Sequence, residues 1–242
     1  MNISTATNIL NGDYSVNYVL QVHLGDAIWS QTLIKELSNG KPIIWGTEWQ
    51  FVEGLQRAYP DVFWIDVNAL NKEYQQFMLD CIIGGCRVIP IGHSSTIMKV
   101  PYKQVMRAKY DCYGYDWNIW RQTMYQRDMD REMKLASLLN LPKEYNLINT
   151  RFRSNESGIV PVEVNNGLPN IVMDSYQGFS LFDWSWIIEN ATTIHTVSTS
   201  ILFIMELLTL KAREIHLYAR RPDEKNFENV EYLFTKPYIC HT

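Results

Sequence analysis

Short apolar runs alternate with amphipathic stretches along the first part of the chain. Such runs are typical of strands in a parallel sheet, and apolar residues spaced three and four apart are typical of helices packed on it. The order strand, helix, strand therefore predicts an α/β fold. The predicted strands are residues 16–22, 42–45, 62–67 and 87–91, and helices are predicted after the first strand and over residues 48–59 and 68–81.

A charged stretch with helical periodicity, residues 116–140, interrupts the alternation and ends at Leu141-Pro142. Strands are then predicted at 145–149, 170–173, 193–196 and 215–218, with helices at 183–189 and 199–210. Because the pattern restarts, we predict two Rossmann-like domains that face a cleft, in a compact α/β arrangement. The predicted domains are residues 1–115 and 143–242, joined by a helical connector of residues 116–142.

Composition and charge narrow the class of protein. The 22 basic and 26 acidic residues give a net charge of −4 without blocks of like charge, so no nucleic-acid or membrane surface is indicated. The sequence starts without the basic and apolar regions of a signal peptide, and its longest apolar run is too short to span a bilayer. Cys81, Cys86, Cys112 and Cys240 lack CxxC spacing, so we expect buried thiols in a reducing compartment. These features predict a soluble, cytoplasmic protein.

Gly25 and Asp26 lie at the junction between the first predicted strand and the next helix. Glycine permits a sharp turn there, and an aspartate at or beside the N-cap accepts hydrogen bonds from backbone N–H groups. Ligands of open α/β sheets also bind at strand-to-helix junctions. Asp26 is therefore either a helix cap or a reactive carboxylate.

Ser198, Thr199 and Ser200 immediately precede the apolar helix predicted near the end of the chain. Hydroxyl groups at a helix start, together with free backbone N–H groups, suit a bound phosphate. An ordinary N-cap has the same residue types, so this interpretation stays open.

Arg151 and Arg153 follow the first predicted strand of the second domain. They lie at the carboxyl edge, where open α/β sheets bind ligands, and two arginines can clamp a diphosphate. The alternative is that they are surface charges paired with Glu156 or Glu163.

The segment 23–33 (HLGDAIWSQTL) resembles the first strand-to-helix loop of the heptosyltransferase-like glycosyltransferases, which have the GT-B fold. That loop carries Gly-Asp, an apolar residue and a short helix. The segment 188–200 is similar to the family's second-half segment, where a helix and a strand lead into a Val-Asp-Thr/Ser-Gly-like loop that holds the nucleotide-sugar. This chain has Ser198 where the family usually has Asp, and Ser200 where it usually has Gly. The resemblance spans most of the chain.

The resemblance implies a mechanism. Asp26 matches the general base that takes a proton from the acceptor hydroxyl as it attacks the anomeric carbon. We expect inversion at that carbon, no metal ion, and no cofactor, because the nucleotide-sugar is itself a substrate. Cationic groups and backbone N–H groups would stabilise the leaving nucleoside diphosphate. The expected donor-binding residues are Gly25, Arg151, Arg153, Ser198, Thr199 and Ser200.

Four residues are candidates for the acceptor side. Glu48 and Trp49 follow the second predicted strand and can bind a sugar by hydrogen bonding and stacking. His23 lies beside the Gly-Asp loop, and His93 lies in the polar loop after the fourth strand. For both histidines, a structural or solvated position is the alternative.

Three functions remain open from the sequence. The first is a glycosyltransferase acting on a glycan or another hydroxyl acceptor, with a modified nucleobase not excluded. An epimerase of the same fold would need a second acid/base partner for Asp26, and the sequence offers no clear one. A nucleotide-sugar-binding protein without turnover fits the departures at Ser198 and Ser200. The acidic charge balance disfavours tight binding to duplex nucleic acid.

Overall fold

The structure, a computed structural model, describes residues 16–20, 23–67, 87–89, 91, 105–153, 157–220, 227 and 233–241. The chain divides into two compact units, Met1–Gln126 and Arg127–Thr242, here called the N-terminal and C-terminal units. Each unit contains its own parallel sheet, so the prediction of two separate parallel sheets is confirmed. In the described part of the chain, no helix combines the length and apolar character needed to cross a membrane.

In the described part of the N-terminal unit, four strands form a parallel sheet: β1 Asn17–Leu20, β2 Ile43–Thr47, β3 Val62–Asp66 and β4 Arg87–Ile89, in the order β3-β2-β1-β4. Tyr18 of β1 is in register with Ile44 of β2 and with Val88 of β4. The carboxyl ends of the strands therefore share one edge, where open α/β sheets bind ligands. The pattern of apolar runs predicted each of these strands.

After β1, helix α1, Leu24–Trp29, is separated from helix α2, Gln31–Ser38, by Ser30 alone. The N–H of Ser30 donates to the carbonyl of Asp26 at 3.0 Å, and the N–H of Ile34 donates to the carbonyl of Ser30 at 2.9 Å. Asn39 ends α2 with φ at 52°, a left-handed conformation that asparagine tolerates. The helices of this unit are α1 Leu24–Trp29, α2 Gln31–Ser38, α3 Trp49–Ala58, α4 Val105–Asp111 and a 3-10 helix, Trp117–Gln122. The predicted helix 68–81 lies outside the described residues.

Tryptophan side chains make up much of the N-terminal core. The rings of Trp45 and Trp64, on β2 and β3, stack with centroids 5.0 Å apart, and those of Trp29 and Trp120 lie 4.9 Å apart. All four side chains are buried. Burying such large apolar surfaces is the main favourable contribution to folding, and it also fixes α1 against the rest of the unit.

In the described part of the C-terminal unit, the strands are β5 Asn146–Asn149, β6 Arg151–Arg153, β7 Ser157–Ile159, β8 Asn170–Val172, β9 Thr193–Val197, β10 Glu214–Tyr218 and β11 Tyr238–His241. Five of these form a parallel sheet in the order β11-β10-β9-β5-β8, and β6 and β7 pair separately as antiparallel strands. Leu147 of β5 is in register with Ile194 of β9, which in turn is in register with Ile215 of β10. The helices are α5 Met129–Leu138, a 3-10 helix Leu181–Trp184, α6 Ser185–Asn190 and α7 Ile201–Leu207.

The stretch predicted as a single connector, residues 116–142, forms two separate helices instead. The 3-10 helix belongs to the N-terminal unit, where the hydroxyl of Thr32 donates to the carbonyl of Trp120 at 3.1 Å. Helix α5 belongs to the C-terminal unit, where Nε of Arg131 donates to Oδ1 of Asp183 at 3.1 Å. Helical periodicity shows that a segment is a helix, but it does not show which of the two units that helix packs against.

Two further expectations need correction. Strands β6 and β7 were not predicted, because the sequences RFR and SGI contain one apolar residue each and form no apolar run; β11 was not predicted either. The thiols of Cys112 and Cys240 are exposed rather than buried. Cys112 follows the end of α4, and Cys240 lies on the edge strand β11, where solvent reaches the side chains. Cys81 and Cys86 lie outside the described residues.

Candidate functional site

The Gly-Asp motif lies inside the first turn of α1. His23 is the N-cap residue, and its side chain makes no capping hydrogen bond. Gly25 and Asp26 are the second and third helical residues, so the expected sharp turn at Gly25 and the cap at Asp26 are both wrong. The helix starts at Leu24, whose side chain is buried, and so begins three residues earlier than a cap at Asp26 would place it. Asp26 is therefore available for another role.

The carboxylate of Asp26 forms an ion pair with Lys109 of α4. Nζ of Lys109 donates to Oδ1 of Asp26. The Lys109 side chain is only 4% exposed, whereas that of Asp26 is 21% exposed. In the part of the chain that the structure describes, Oδ2 of Asp26 makes no hydrogen bond. One carboxylate oxygen is thus held in place, and the other is left for a ligand.

The position of Lys109 depends on Trp29. The indole N–H of Trp29 donates to the carbonyl of Met106 at 3.0 Å, and the hydroxyl of Tyr110 donates back to the carbonyl of Trp29 at 2.6 Å. These bonds join α1 to α4 through Met106, three residues before Lys109, and Tyr110, the residue after it. Burial raises the pKa of Tyr110, so its hydroxyl stays a hydrogen-bond donor. The geometry of the Asp26–Lys109 pair is therefore built into the core.

Three of the expected acceptor-side residues lie together at the carboxyl edge of the N-terminal sheet. Nδ1 of His23, after β1, is 3.9 Å from Oε1 of Glu48, after β2. The side-chain amide of Gln50 donates to Oε2 of Glu48 at 2.7 Å. Trp49 follows Glu48 directly, and 68% of its surface is exposed. His93 lies outside the described residues.

Polar side chains also meet at the carboxyl edge of the C-terminal sheet. The amide of Asn149, at the end of β5, donates to the hydroxyls of Thr196 at 3.0 Å and Thr199 at 3.2 Å. The structure thus links the two predicted donor segments of this unit. Ser200 is the N-cap residue of α7 and makes no side-chain capping bond, so the ordinary-cap interpretation of its hydroxyl does not hold. Ser198 and Thr199 complete the loop between β9 and α7.

Arg151 lies at the same edge and pairs with a residue that the sequence did not indicate. Nη1 of Arg151 is 3.0 Å from Oδ1 of Asp174, which follows β8. The expected partners were Glu156, outside the described residues, and Glu163. The two side chains are 56% and 45% exposed, so the pair is weak and Arg151 can exchange Asp174 for an anionic ligand. The side chain of Arg153 lies outside the described part of the structure.

Arg220 is a further cation at this edge. It follows β10, and its guanidinium carbon lies 5.8 Å from the centre of the Phe152 ring on β6. The Phe152 ring covers Gly158 so closely that a Cβ there would lie 2.5 Å from it, so a larger residue at this position would force the ring to move. The β6–β7 hairpin therefore presents Phe152 to Arg220 in a cation–π contact.

Sequence reasoning missed Lys109, Arg220 and Asp174. Arg220 follows a correctly predicted strand, so its place at the carboxyl edge of the sheet could have been predicted from the sequence, as it was for Arg151. Asp174 follows a predicted strand in the same way. Lys109 carries no such signal, because it belongs to a helix that the apolar pattern did not predict and is far from Asp26 in sequence.

Three histidines and a tyrosine cluster on β9, β10 and β11. Nδ1 of His195 lies 3.0 Å from the hydroxyl of Tyr218, and the His195 and His216 rings stack 4.4 Å apart. Nδ1 of His216 lies 2.9 Å from Nε2 of His241. Burial, and then the neighbouring imidazoles, lowers the pKa of His195 to about 4, and burial also lowers the pKa of His241. Among the described residues, no group of three or more His, Cys, Asp or Glu side chains is arranged to hold a metal ion.

Comparison with known proteins gives a likeness of fold. No family model matches the chain, and no curated protein matches its sequence. A family 9 glycosyltransferase from Veillonella parvula is similar over 96% of this chain and 88% of its own, with 8% identity and a TM-score of 0.55. TibC, an iron-containing dodecameric glycosyltransferase from enterotoxigenic E. coli, is similar over 85% of this chain, with 9% identity and a TM-score of 0.50. This chain spans 58% of the length of TibC.

The fold is therefore one that glycosyltransferases use. The resemblance to the heptosyltransferase-like glycosyltransferases, based on two short segments, is confirmed at the level of fold. Because one fold hosts many activities, the activity itself must be argued from the site.

Proposed function

We propose that the chain is a glycosyltransferase that moves a sugar from a nucleotide-sugar to a hydroxyl acceptor, with Asp26 as general base. The observation that carries this proposal is the asymmetric setting of the Asp26 carboxylate, which Lys109 binds through Oδ1. A general base needs a fixed direction and a free lone pair. Oδ2 has that lone pair, and the 21% exposure of the side chain lets an acceptor reach it.

The reaction follows from these groups. Oδ2 of Asp26 takes the proton of the acceptor hydroxyl while the acceptor oxygen bonds to the anomeric carbon of the donor sugar. The bond between that carbon and the phosphate oxygen breaks, and the nucleoside diphosphate leaves with the electron pair. A single displacement of this kind inverts the configuration at the anomeric carbon.

The C-terminal unit supplies candidate groups for the donor. Arg151 and Arg220 place guanidinium groups at the edge where Asn149, Thr196 and Thr199 form a hydrogen-bonded set. Guanidinium groups bind phosphate through paired N–H donors and neutralise the charge that grows on the leaving diphosphate. This supports a mechanism in which side chains, rather than a metal ion, stabilise the leaving group.

A nucleotide-sugar panel tests the proposal. UDP-, GDP- and ADP-sugars are added singly to the full chain, and the melting temperature and the release of nucleoside diphosphate are both measured. We expect one donor to raise the melting temperature, since it binds only the folded state, and to be hydrolysed slowly in water. Addition of EDTA should leave the rate unchanged, and NMR of the product should show inversion.

The same experiment separates the alternatives. Stabilisation without release of nucleoside diphosphate would show a nucleotide-sugar-binding protein and contradict the transferase proposal. Conversion of the donor into its epimer would show an epimerase. If no nucleotide-sugar stabilises the chain or is consumed, the proposal is wrong.

A further inference from the structure

Trp49 is the most exposed of the large apolar side chains in the described part of the chain, at 68%. Trp29, Trp45, Trp64 and Trp120 are buried in the core of the same unit. Exposing an indole ring to water is unfavourable, and an exposed apolar ring often marks a binding surface. Next to Trp49 in the chain is Glu48, a polar side chain that can bind the same ligand.

Glu48 accepts a hydrogen bond from Gln50 and lies near His23, which belongs to a different strand-to-helix junction. Gln50, on α3, donates to Oε2 at 2.7 Å, and His23, before α1, lies 3.9 Å from Oε1. The His23 side chain is 62% exposed and that of Glu48 is 30% exposed. Both side chains therefore keep atoms that can exchange hydrogen bonds with a ligand.

Glu48 is the carboxylate next to Trp49 in the chain, and its side chain is 30% exposed. Asp26, after β1, adds no net charge to this edge, because Lys109 balances it. A ligand that places a carboxylate or phosphate against Glu48 would meet a like charge. A hydroxyl-rich neutral ligand meets acceptors for its O–H groups.

We propose that Trp49, Glu48 and His23 form a binding site for a neutral sugar, and, resting on the proposed function, that this sugar is the acceptor. The sugar ring lies against the indole of Trp49, its hydroxyls donate to Glu48, and His23 contributes a further hydrogen bond. An apolar ring face beside a few oriented polar groups is the usual composition of a small-molecule site. The carboxylate of Glu48 selects neutral sugars over uronic acids.

Binding is tested without any donor. Methyl glucoside, galactoside and mannoside are titrated into the full chain by saturation-transfer NMR, with methyl glucuronide as the charged counterpart. We expect at least one neutral glycoside to bind and the glucuronide to bind about tenfold more weakly. Trp49→Ala should weaken neutral-glycoside binding about tenfold, whereas Trp49→Phe should retain most of it. Met124→Ala, at another exposed apolar side chain of the same unit, is the matched control and should bind as the parent does.

Glu48→Gln tests the charge. This change keeps a hydrogen-bond acceptor and removes the negative charge, so binding of the glucuronide should approach that of the glucoside.

Three results would each overturn the proposal: parental binding by Trp49→Ala, equal binding of glucoside and glucuronide by the parent, or no binding of any neutral glycoside. Trp49-dependent binding in a chain that turns over no nucleotide-sugar would support the sugar site and contradict the transferase function. If the parent turns over a nucleotide-sugar but Trp49→Ala binds glycosides normally, the transferase function is supported and the sugar site at Trp49 is contradicted.

Discussion

Nζ of Lys109 donates a hydrogen bond to Oδ1 of Asp26, although 83 positions separate the two residues in sequence. Lys109 is buried and Asp26 reaches solvent, so the two members of the pair do not respond equally to substitution. Removing the carboxylate leaves an ammonium group in the core without its counter-charge, whereas removing the ammonium leaves a carboxylate that water can still solvate. Stability and activity can therefore be separated at this pair.

Asp26→Asn should lower turnover by about 10²–10⁴-fold, because the amide cannot accept a proton from the acceptor. It should also lower the free energy of unfolding by about 1–3 kcal/mol, because Lys109 keeps a hydrogen-bond acceptor but loses its counter-charge. Donor hydrolysis rates and calorimetry on the same preparation measure the two effects.

The double variant Asp26→Asn with Lys109→Met provides the control. Methionine fills a similar volume without a charge, so the double variant should regain most of the lost stability while turnover stays low. Lys109→Met alone should reduce turnover by about 10–100-fold through loss of the carboxylate's fixed direction. A double variant with the parental rate would remove Asp26 from the mechanism.

Arg151→Ala should weaken nucleotide-sugar binding by about 1.5–3 kcal/mol, as expected for the loss of a charged hydrogen bond to phosphate. The same is predicted for Arg153→Ala. Arg213→Ala is the matched control, because Arg213 is an exposed arginine paired with Glu144 at the opposite end of β10. Isothermal titration with the stabilising donor measures the affinities. If both arginine variants bind the donor as the Arg213 variant does, the phosphate assignment is wrong.

The stability of the chain should fall as the pH is lowered from about 6.5 to about 4. Burial lowers the pKa of His195 to about 4, so the unfolded chain takes up this proton at a higher pH than the folded chain. Protons therefore favour the unfolded state within that window, and the loss should be about 1–3 kcal/mol at its acidic end. Above pH 6.5 the contribution of His195 is constant. His195→Gln should flatten the dependence when the free energy of unfolding is measured across this pH range, and an unchanged dependence in that variant would contradict the assignment to His195.

Arg127→Met should destabilise the C-terminal unit by about 3–5 kcal/mol. Nε of Arg127 donates to Oε1 of Glu132 at 2.9 Å, and Nη1 donates to Oε2 of Glu189 at 2.6 Å. Glu132 is fully buried, so loss of the guanidinium leaves a carboxylate in the core without its counter-charge. The double variant Arg127→Met with Glu132→Gln should recover part of the loss in calorimetry. A single variant as stable as the parent would show that the buried pair contributes nothing.

The sequence alone determined the alternation of strands and helices and the presence of two separate sheets. Apolar runs such as the one around Tyr18 predict buried strands because a strand inside a parallel sheet is covered on both faces. The sequence also marked Asp26, Arg151 and the loop after β9 as candidate residues, since strand ends in such folds share one edge. Local order along the chain is sufficient for these inferences.

Only the tertiary structure decided what these residues contact. Asp26 lies inside its helix rather than at the cap, and its partner Lys109 lies on α4, which is joined to Trp29 by two long-range hydrogen bonds. Arg151 pairs with Asp174 because β5 and β8 are neighbours in the sheet, an order that the sequence does not state. Periodicity reports which face of an element is buried, but the partners on that face are chosen by packing between segments far apart in the chain.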